Sequence, residues 1–189
     1  MSLCSCGSEP PALGDVKDDF VALIEASYEI NGIVFGDDIE TYERDNEEVI
    51  KNGTYYNVDD GFYNYEFLTE NNKYRSEDEI RAAALAVYSE DYISSVLDAC
   101  FDGFMDENGD TAVQPKFLSY TGMLMLNTEY QVYVSGDRRY DFDTMEIASP
   151  SNAKLVNVTI DAIDGDERSQ TRLTFVLQDG QWRLDSPTY

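Results

Sequence analysis

The order of the sequence patterns predicts an α+β fold in which N-terminal helices pack against a curved, mostly antiparallel C-terminal sheet. Helix-period apolar stripes occupy the first part of the 189-residue chain, whereas a period of two dominates from Lys116 onward. Helices followed by strands, without βαβ alternation, are typical of this class. The hairpin spacing of the last strands favours antiparallel pairing. We therefore expect one globular domain over residues 15–189, preceded by a tether over residues 1–14.

The segment DVKDDFVALIEASYEINGIV predicts the first helix. Apolar residues recur at helical spacing from Phe20 to Ile30. Three aspartates suit its N-terminal end, and Asn31-Gly32 is a good stop signal. The next stretch, residues 37–48, carries seven acids and one arginine. It predicts either a solvated second helix or an acidic loop.

The stretch TYYNVDDGFYNYEFL is rich in aromatic residues and has high β propensity, with a turn signal at Asp59-Asp60-Gly61. It predicts one or two short strands or an extended aromatic loop. Core packing explains its tyrosines as well as ligand stacking does.

A helical pair follows. The sequence SEDE at Ser76–Glu79 is a capping box, which predicts a helix start at the serine. Ser89 then begins another helix, whose inner face carries apolar residues as far as Phe101. Cys100 belongs to this inner face, and we expect it to be a small buried residue.

Strands are predicted from Lys116 to the last residues, separated by turn signals such as Asp164-Gly165-Asp166 and Asp179-Gly180. The last strand contains QWRLD. Alternation along this strand predicts that Trp182 faces the helices, with Leu184 in the same packing layer. We therefore expect Trp182→Ala to cost about 3–5 kcal/mol.

The charge of the chain is extreme and uneven. Its 38 acids and 13 bases give a net charge of −25, and residues 1–115 hold 27 of the acids against 6 of the bases. Such a surface repels phosphate backbones and anionic headgroups, which argues against nucleic-acid binding. The charge is explained either by solubility or by a docking face that steers a basic partner.

The sequence contains no histidine. This excludes a Ser-His-Asp triad, a Cys-His pair and histidine-ligated zinc or iron sites. The acidic runs DENGD at Asp106–Asp110 and DAIDGDE at Asp161–Glu167 fail the EF-hand spacing, and we interpret them as turns. A carboxylate pair for glycoside hydrolysis stays open, but no pair stands out. We expect a protein that is not an enzyme and that needs no metal or cofactor.

Cys4 and Cys6 precede GSEPPALGD, whose composition is typical of a flexible tether. They are either exposed thiols, a cloning remnant or a lipid anchor; a Cys-X-Cys pair rarely forms a disulfide because the geometry is strained. A cysteine ahead of a polar linker is similar to the start of a mature bacterial lipoprotein, with MSL replacing the signal peptide. We expect lipid on Cys4, or on Cys6 if Leu3 is native. The protein would then be extracytoplasmic, held to the outer face of the bacterial cytoplasmic membrane through lipid alone.

Three segments carry a resemblance to a known family. They are KYRSEDEIRAAALAVYSEDYISSVL, KFLSYTGMLML and the closing LTFVLQDGQWRLDSPTY. After an exported anchor and an early helix, they resemble the IseA-type inhibitors of bacterial cell-wall DL-endopeptidases and related lipoproteins. The closing hairpin is also similar to the end of cystatin-like and nuclear-transport-factor-like domains, in which helices pack into a curved antiparallel sheet.

The resemblance implies a protein that binds and inhibits a peptidoglycan-cleaving enzyme at the cell surface. We expect this protein to be a monomer. No inhibitory motif is matched residue by residue, so the candidate contacts come from the acidic, tyrosine-rich half of the chain. Tyrosines act as anchors in interfaces, and acids mainly accelerate association. The candidate contact residues are Tyr55, Tyr56, Tyr63, Tyr65, Asp37, Asp38, Glu47 and Glu48.

Two other functions stay open. A cone-shaped α+β domain can enclose a small-molecule or isomerase-like pocket, which needs an acid or a tyrosine beside an apolar cavity. Tyr120 and Asp161 are among the residues that qualify. The other alternative is a structural lipoprotein. An open pocket lined by convergent polar groups would separate the first alternative from a protein with a closed core.

Overall fold

The computed structural model describes residues 8–42, 48–51, 54–57, 65–105, 111–120, 122–130 and 138–189. Within these ranges, three helices and two four-stranded antiparallel sheets confirm the α+β class. The chain divides into two compact units. Unit 1 comprises residues 1–36, 83–93 and 134–189, and unit 2 comprises residues 37–82 and 94–133. Each unit is assembled from segments that are distant in sequence, and the expectation of a single domain over residues 15–189 stays a prediction.

Helix α1 spans Leu13–Val34 in unit 1. The predicted stop at Asn31-Gly32 is wrong, because the helix continues to Val34 and the N–H groups of Phe35 and Gly36 both donate to Asn31 O. The Asn31 side chain is buried and hydrogen-bonded to other side chains. It is therefore not available to compete with the helical backbone, which is how asparagine usually ends a helix.

The sheet of unit 1 has the strand order β12-β11-β10-β9, and all its neighbours are antiparallel. The turns before β11 and β12 confirm the turn signals, since Gly165 has φ 57°, Asp179 has φ 52° and Gly180 has φ 80°. The strands are β9 (Arg139–Ala148), β10 (Leu155–Asp164), β11 (Glu167–Gln178) and β12 (Gln181–Leu184).

Helix α1 covers one face of this sheet. Phe20 is fully buried, its ring stacks on Phe175 of β11 with centroids 3.8 Å apart, and it meets Trp182 of β12 edge-on at 5.3 Å. This confirms that Trp182 faces the helical layer. Trp182 itself is half-buried, whereas Leu184 is fully buried. Burial of these large rings supplies much of the apolar area that stabilises unit 1.

Helix α2 spans Glu77–Val87 and begins as the capping box predicts. The Glu79 N–H donates to Ser76 Oγ at 3.3 Å, and the Arg75 N–H donates to Glu79 Oε2 at 2.7 Å. These two bonds satisfy backbone N–H groups that have no carbonyl partner within the helix. The N-terminal half of α2 belongs to unit 2 and the remainder to unit 1.

Helix α3 spans Glu90–Asp102. Its predicted cap is confirmed, because the Tyr92 N–H donates to Ser89 Oγ at 3.2 Å. The predicted inner face is confirmed at four buried positions, which are Ile93, Leu97, Cys100 and Phe101.

The sheet of unit 2 has the order β1-β4-β8-β7 and is antiparallel throughout. Gly122, with φ 77°, lies in the turn between β7 and β8 and explains why a glycine stands there. The strands are short: β1 (Thr41–Tyr42), β4 (Tyr65–Leu68), β7 (Phe117–Tyr120) and β8 (Met123–Asn127).

Two further hairpins belong to unit 2. One pairs β2 (Glu48–Lys51) with β3 (Thr54–Asn57), and the other pairs β5 (Phe104–Met105) with β6 (Thr111–Val113). The described residues of the acidic stretch 37–48 contain β1 and the first residue of β2, and the helix expected there as one alternative is not among them. The turn predicted at 59–61 lies outside the described residues.

Candidate functional site

Unit 2 contains an open groove with a volume of about 640 Å³. Its apolar part comes from three neighbouring strands. Phe67 of β4 and Leu124 of β8 form the buried floor, with exposed fractions of 1% and 4%. Leu68 and Met123 are half-buried beside them. Tyr42 of β1 forms a wall and stays 42% exposed.

The strand register explains why these side chains meet. Tyr42 lies directly opposite Phe67, and their rings stack with centroids 5.9 Å apart. Phe67 in turn packs with Tyr65 and Met125 in a buried cluster. The floor of the groove is therefore held by core packing, while the Tyr42 ring at the sheet edge is left accessible.

The polar rim of the groove is the start of α2. Ser76 and Glu79 line the groove and are the two side chains of the capping box. The backbone N–H of Arg75, followed by hydrogen bonds from Ser76 and the positive charge of the Arg75 guanidinium, holds the pKa of the Glu79 carboxyl below its usual value. Capping explains both residues, so neither needs a catalytic role.

Arg75 is the cation of this rim. Its side chain is exposed, and the guanidinium makes no hydrogen bond and no ion pair within the described part of the chain. The other arginines whose side chains are described donate at least one guanidinium hydrogen bond each: Arg81, Arg138, Arg139, Arg168, Arg172 and Arg183. Arg75 therefore has its donors available to a ligand.

A buried lysine is the second unusual feature of unit 2. Lys116 is only 2% exposed, and its Nζ lies 5.6 Å from the ring centroid of Phe117 and 5.7 Å from that of Tyr130. Burial lowers the pKa of Lys116 to about 8, and the electrostatic interactions with Cys100 and then with Asp37 and Asp38 oppose part of this shift. The two exposed carboxylates therefore raise the pKa of a buried amine.

Cys100 is buried, as the helical pattern predicts, with an exposed fraction of 2%. Burial raises the pKa of its thiol to about 11, which Lys116 partly opposes. The thiol is therefore protonated at neutral pH. Since the thiolate is the nucleophilic form, Cys100 is not poised for covalent chemistry.

Unit 1 contains a cluster of buried polar side chains around Thr188. Thr188 Oγ1 lies 2.7 Å from Ser27 Oγ and 2.8 Å from Tyr88 Oη, and it accepts a hydrogen bond from Asn31 Nδ2 at 2.8 Å. Tyr88 Oη also donates to Asn31 Oδ1 at 2.6 Å. Burial raises the pKa of Tyr88 to about 12. Thr188 thus satisfies these side chains from within the protein, at the position where a polar ligand would otherwise bind.

The same interior has a second tyrosine, Tyr140, which is 7% exposed. Burial raises its pKa to about 12, an effect that neighbouring Arg138 opposes, and its hydroxyl has no hydrogen-bond partner among the described residues. Arg138 donates to Asp164 at 2.8 Å and to Tyr189 O at 2.7 Å. The Arg138 guanidinium is thus hydrogen-bonded to Asp164 and to the Tyr189 carbonyl.

The candidate contact residues from the sequence fall into three groups. Tyr65 is 4% exposed and its hydroxyl donates to Pro115 O at 2.8 Å, so its ring belongs to the core of unit 2. Asp37 and Asp38 are exposed. For the rest, the structure gives only the backbone of Glu48, Tyr55 and Tyr56 in the β2–β3 hairpin, and Glu47 and Tyr63 lie outside the described residues.

Other predictions on single residues have mixed outcomes. Cys4 and Cys6 lie outside the described residues, so the lipid anchor stays a prediction. Tyr120 is half-buried and packs against the Phe67 cluster of unit 2. Asp161 accepts a hydrogen bond from Arg168 at 3.3 Å in an ion pair of unit 1. Neither residue lines the groove.

The sequence reasoning missed Arg75, Lys116 and Thr188. Arg75 directly precedes the capping box, and a cation at the start of a helix opposes the helix dipole, which is a usable signal. Lys116 and Thr188 gave no comparable signal, because lysine and threonine are mostly exposed in proteins.

The described residues give two results on membranes and metals. No described helix is long and apolar enough to cross a membrane. The described residues also contain no group of three or more Cys, Asp or Glu that is arranged to hold a metal ion.

Comparison with known proteins adds no family. No model of a known protein family matches the chain, and no curated protein matches it in sequence. The resemblance to the endopeptidase inhibitors therefore rests on the quoted segments and stays a prediction.

Proposed function

We propose that this is a non-catalytic protein-binding domain that uses unit 2 to engage a basic partner at the bacterial cell surface. The observation that carries the proposal is the groove, which combines a buried apolar floor with an exposed tyrosine and charged groups at its rim. This is the composition of sites that bind protein side chains, where aromatic anchors and arginine dominate the energetics.

Charge supports the choice of partner. The net charge of −25 attracts cationic proteins over the distance of a Debye length, about 8–10 Å at physiological salt. Exposed acids such as Asp37 and Asp38 in unit 2 raise the association rate in this way. The groove would then determine how long the complex lasts.

The partner class follows from the resemblance. We propose a cell-wall DL-endopeptidase, which the domain inhibits by covering its surface while the chain is held to the membrane through lipid on Cys4 or Cys6. Mass spectrometry of the membrane-bound form, expressed with a lipoprotein signal, should find the lipid. An unmodified N-terminal peptide from that form would remove the anchor from the proposal.

The inhibitor function is tested by a peptidoglycan digestion assay with endopeptidases of the same source, with and without the protein. Tyr42→Ala should weaken inhibition roughly tenfold, since aromatic anchors contribute about 1–2 kcal/mol or more. Leu85→Ala is a matched control, because Leu85 is also an exposed large apolar residue (38%) but belongs to unit 1. Absence of binding and of inhibition for every endopeptidase at micromolar concentration would refute the proposal.

A further inference from the structure

We infer that the groove of unit 2 receives a cationic side chain, arginine or lysine, from an extended segment of the partner, and that Glu70 and the ring of Tyr42 bind its charge. The inference rests on the proposed protein-binding function and deepens it by naming the chemical group that docks. It is argued from the charges that line the groove, from the acids beside the groove and from the exposed ring of Tyr42.

The charges that line the groove are the first step. They are Glu70, Glu79 and Arg75, so carboxylates exceed cations by one. Glu79 and Arg75 balance each other, because the guanidinium acts electrostatically on the Glu79 carboxylate and the Arg75 N–H donates to it at 2.7 Å. Glu70 is exposed, and its carboxylate makes no hydrogen bond and no ion pair among the described residues. The groove therefore presents one uncompensated negative charge, which attracts a cation.

The acids beside the groove are the second step. Glu66 directly precedes Phe67 of the groove floor, and Glu40 directly precedes β1. Both carboxylates accept hydrogen bonds from threonine or asparagine side chains, and neither forms an ion pair among the described residues. The stretches 37–42 and 65–79, which supply all the charged groups of the lining, hold eight acids and two bases. The negative potential at the groove is thus local, and it adds to that of the net charge.

The exposed ring of Tyr42 is the third step. The ring stacks on Phe67 with centroids 5.9 Å apart, and the side chain stays 42% exposed. A cation within about 6 Å of an aromatic ring is attracted by its π electrons. The chain uses this contact within unit 2, since the guanidinium of Arg81 lies 4.8 Å from the ring centroid of Phe101. Tyr42 has no such cation among the described residues, so its ring is open to one from a partner.

The apolar part of the groove fits the stem of the same side chain. Leu68 and Met123 are half-buried in the lining, and the methylene groups of arginine and lysine cover apolar surface while their charge stays near water. An acidic segment would add a second uncompensated negative charge, and a second copy of this chain also carries a net charge of −25. A purely apolar segment would leave Glu70 without a partner. Charge complementarity therefore favours a basic segment of another protein.

The test measures binding of two fluorescein-labelled hexapeptides by fluorescence anisotropy. Both are acetylated and amidated; one carries a single arginine between leucine and alanine, and the other carries citrulline in its place. Citrulline has nearly the shape of arginine but carries no positive charge. The protein should bind the arginine peptide about tenfold more tightly, as expected for a charge-assisted hydrogen-bonded pair.

Four variants locate the bound cation. Glu70→Gln should remove most of the preference for arginine, and Tyr42→Leu should weaken binding of the arginine peptide more than that of the citrulline peptide. Arg75→Gln should strengthen binding of the arginine peptide a few-fold, because it removes the one cation of the lining. Glu25→Gln is the matched control for Glu70→Gln, since Glu25 is an exposed glutamate of α1 in unit 1 and its substitution changes the net charge equally.

Five results would overturn the inference. They are equal affinity for the two peptides, a preference that persists in Glu70→Gln, an equal loss of preference in Glu25→Gln, weaker binding of the arginine peptide by Arg75→Gln, and no peptide binding at millimolar concentration. Inhibition of an endopeptidase that Glu70→Gln leaves unchanged refutes the inference and leaves the proposed function intact. The expected peptide preference without inhibition of any endopeptidase refutes the proposed function alone.

Discussion

In unit 1, the buried hydroxyl and amide groups around Thr188 satisfy one another, whereas unit 2 keeps an ionisable lysine in its interior and charged side chains at the rim of an open groove. Mutually hydrogen-bonded polar groups stabilise a fold, whereas burial of an ionisable amine has a desolvation cost. Sites that bind ligands often carry such costs, which the rest of the protein offsets. The difference supports the proposal that unit 2 carries the interaction site, and it leads us to expect that unit 1 contributes more of the stability.

The strands show the same contrast. Three strands of the unit 1 sheet have 10, 10 and 12 residues, whereas the strands of the unit 2 sheet have 2 to 5. Long paired strands bury more area per strand, and short edge strands such as β1 leave residues like Tyr42 accessible. Four predictions test this comparison.

The largest effect is expected for Phe20→Ala in unit 1. The ring is fully buried between Phe175 and Trp182, so its removal should lower the free energy of unfolding by about 3–5 kcal/mol in a urea titration. Trp182→Ala should cost less than the 3–5 kcal/mol expected from its sequence alone, because Trp182 is only half-buried. Tyr42→Ala in the groove should cost under about 1 kcal/mol. If Tyr42→Ala lowers the free energy of unfolding as much as Phe20→Ala does, the proposed difference between the two units is wrong.

The next effect is expected for Thr188→Val. Valine has the shape of threonine without its hydroxyl, so Ser27, Asn31 and Tyr88 lose a buried partner. Unfolding free energy should fall by about 1–3 kcal/mol. Thr188→Ser keeps the hydroxyl and should cost less than the valine variant. The reverse order would mean that Thr188 acts through its methyl group and that the polar cluster is not what stabilises unit 1.

These two regions also differ in how well their sequence predicts them. The caps of α2 and α3 and the hairpin turns of unit 1 depend on residues a few positions apart, and the sequence predicts them correctly. The end of α1 is not predicted correctly from nearby residues. The Asn31 side chain donates a hydrogen bond to Thr188, which is 157 residues away in the chain. Periodicity likewise gives no information on which lysine is buried or which arginine lacks a partner. The burial of Lys116 follows from tertiary contacts that no local pattern records.

A third prediction concerns the pH dependence caused by Lys116. Burial lowers its pKa to about 8, whereas in the unfolded chain it is near the ordinary lysine value of about 10.4. Between these values the unfolded state binds more protons than the folded state, so stability should rise as the pH increases, by about 1 kcal/mol between pH 8 and pH 9. Cys100 opposes part of this rise from about pH 8.5 upward, because burial raises the pKa of its thiol from the ordinary value of about 8.5 to about 11, so the net rise should be smaller than the Lys116 contribution. Above about pH 10, stability should fall further, because burial raises the pKa of Tyr88 and of Tyr140 to about 12 and both tyrosines ionise on unfolding.

Urea titrations from pH 7 to pH 9 measure this rise. Lys116→Met retains most of the side-chain volume without an amine, so its stability should not rise over the same range. If the methionine variant keeps the rise, another group is responsible and unit 2 does not carry a destabilising charge.

The smallest effect is expected for the double substitution Asp37→Asn and Asp38→Asn, measured as partner association by stopped-flow fluorescence. Both carboxylates are exposed, so their removal should slow association a few-fold and reduce its salt dependence, with little change in dissociation. The matched control is Asp18→Asn with Asp19→Asn, an equal charge change at exposed positions of α1 in unit 1. An equal slowing by both pairs would show that net charge alone steers the partner, without a preferred face. The Asp37 and Asp38 carboxylates also raise the pKa of Lys116, so the first pair has a second readout that the control lacks: the rise in stability with pH should begin at a lower pH.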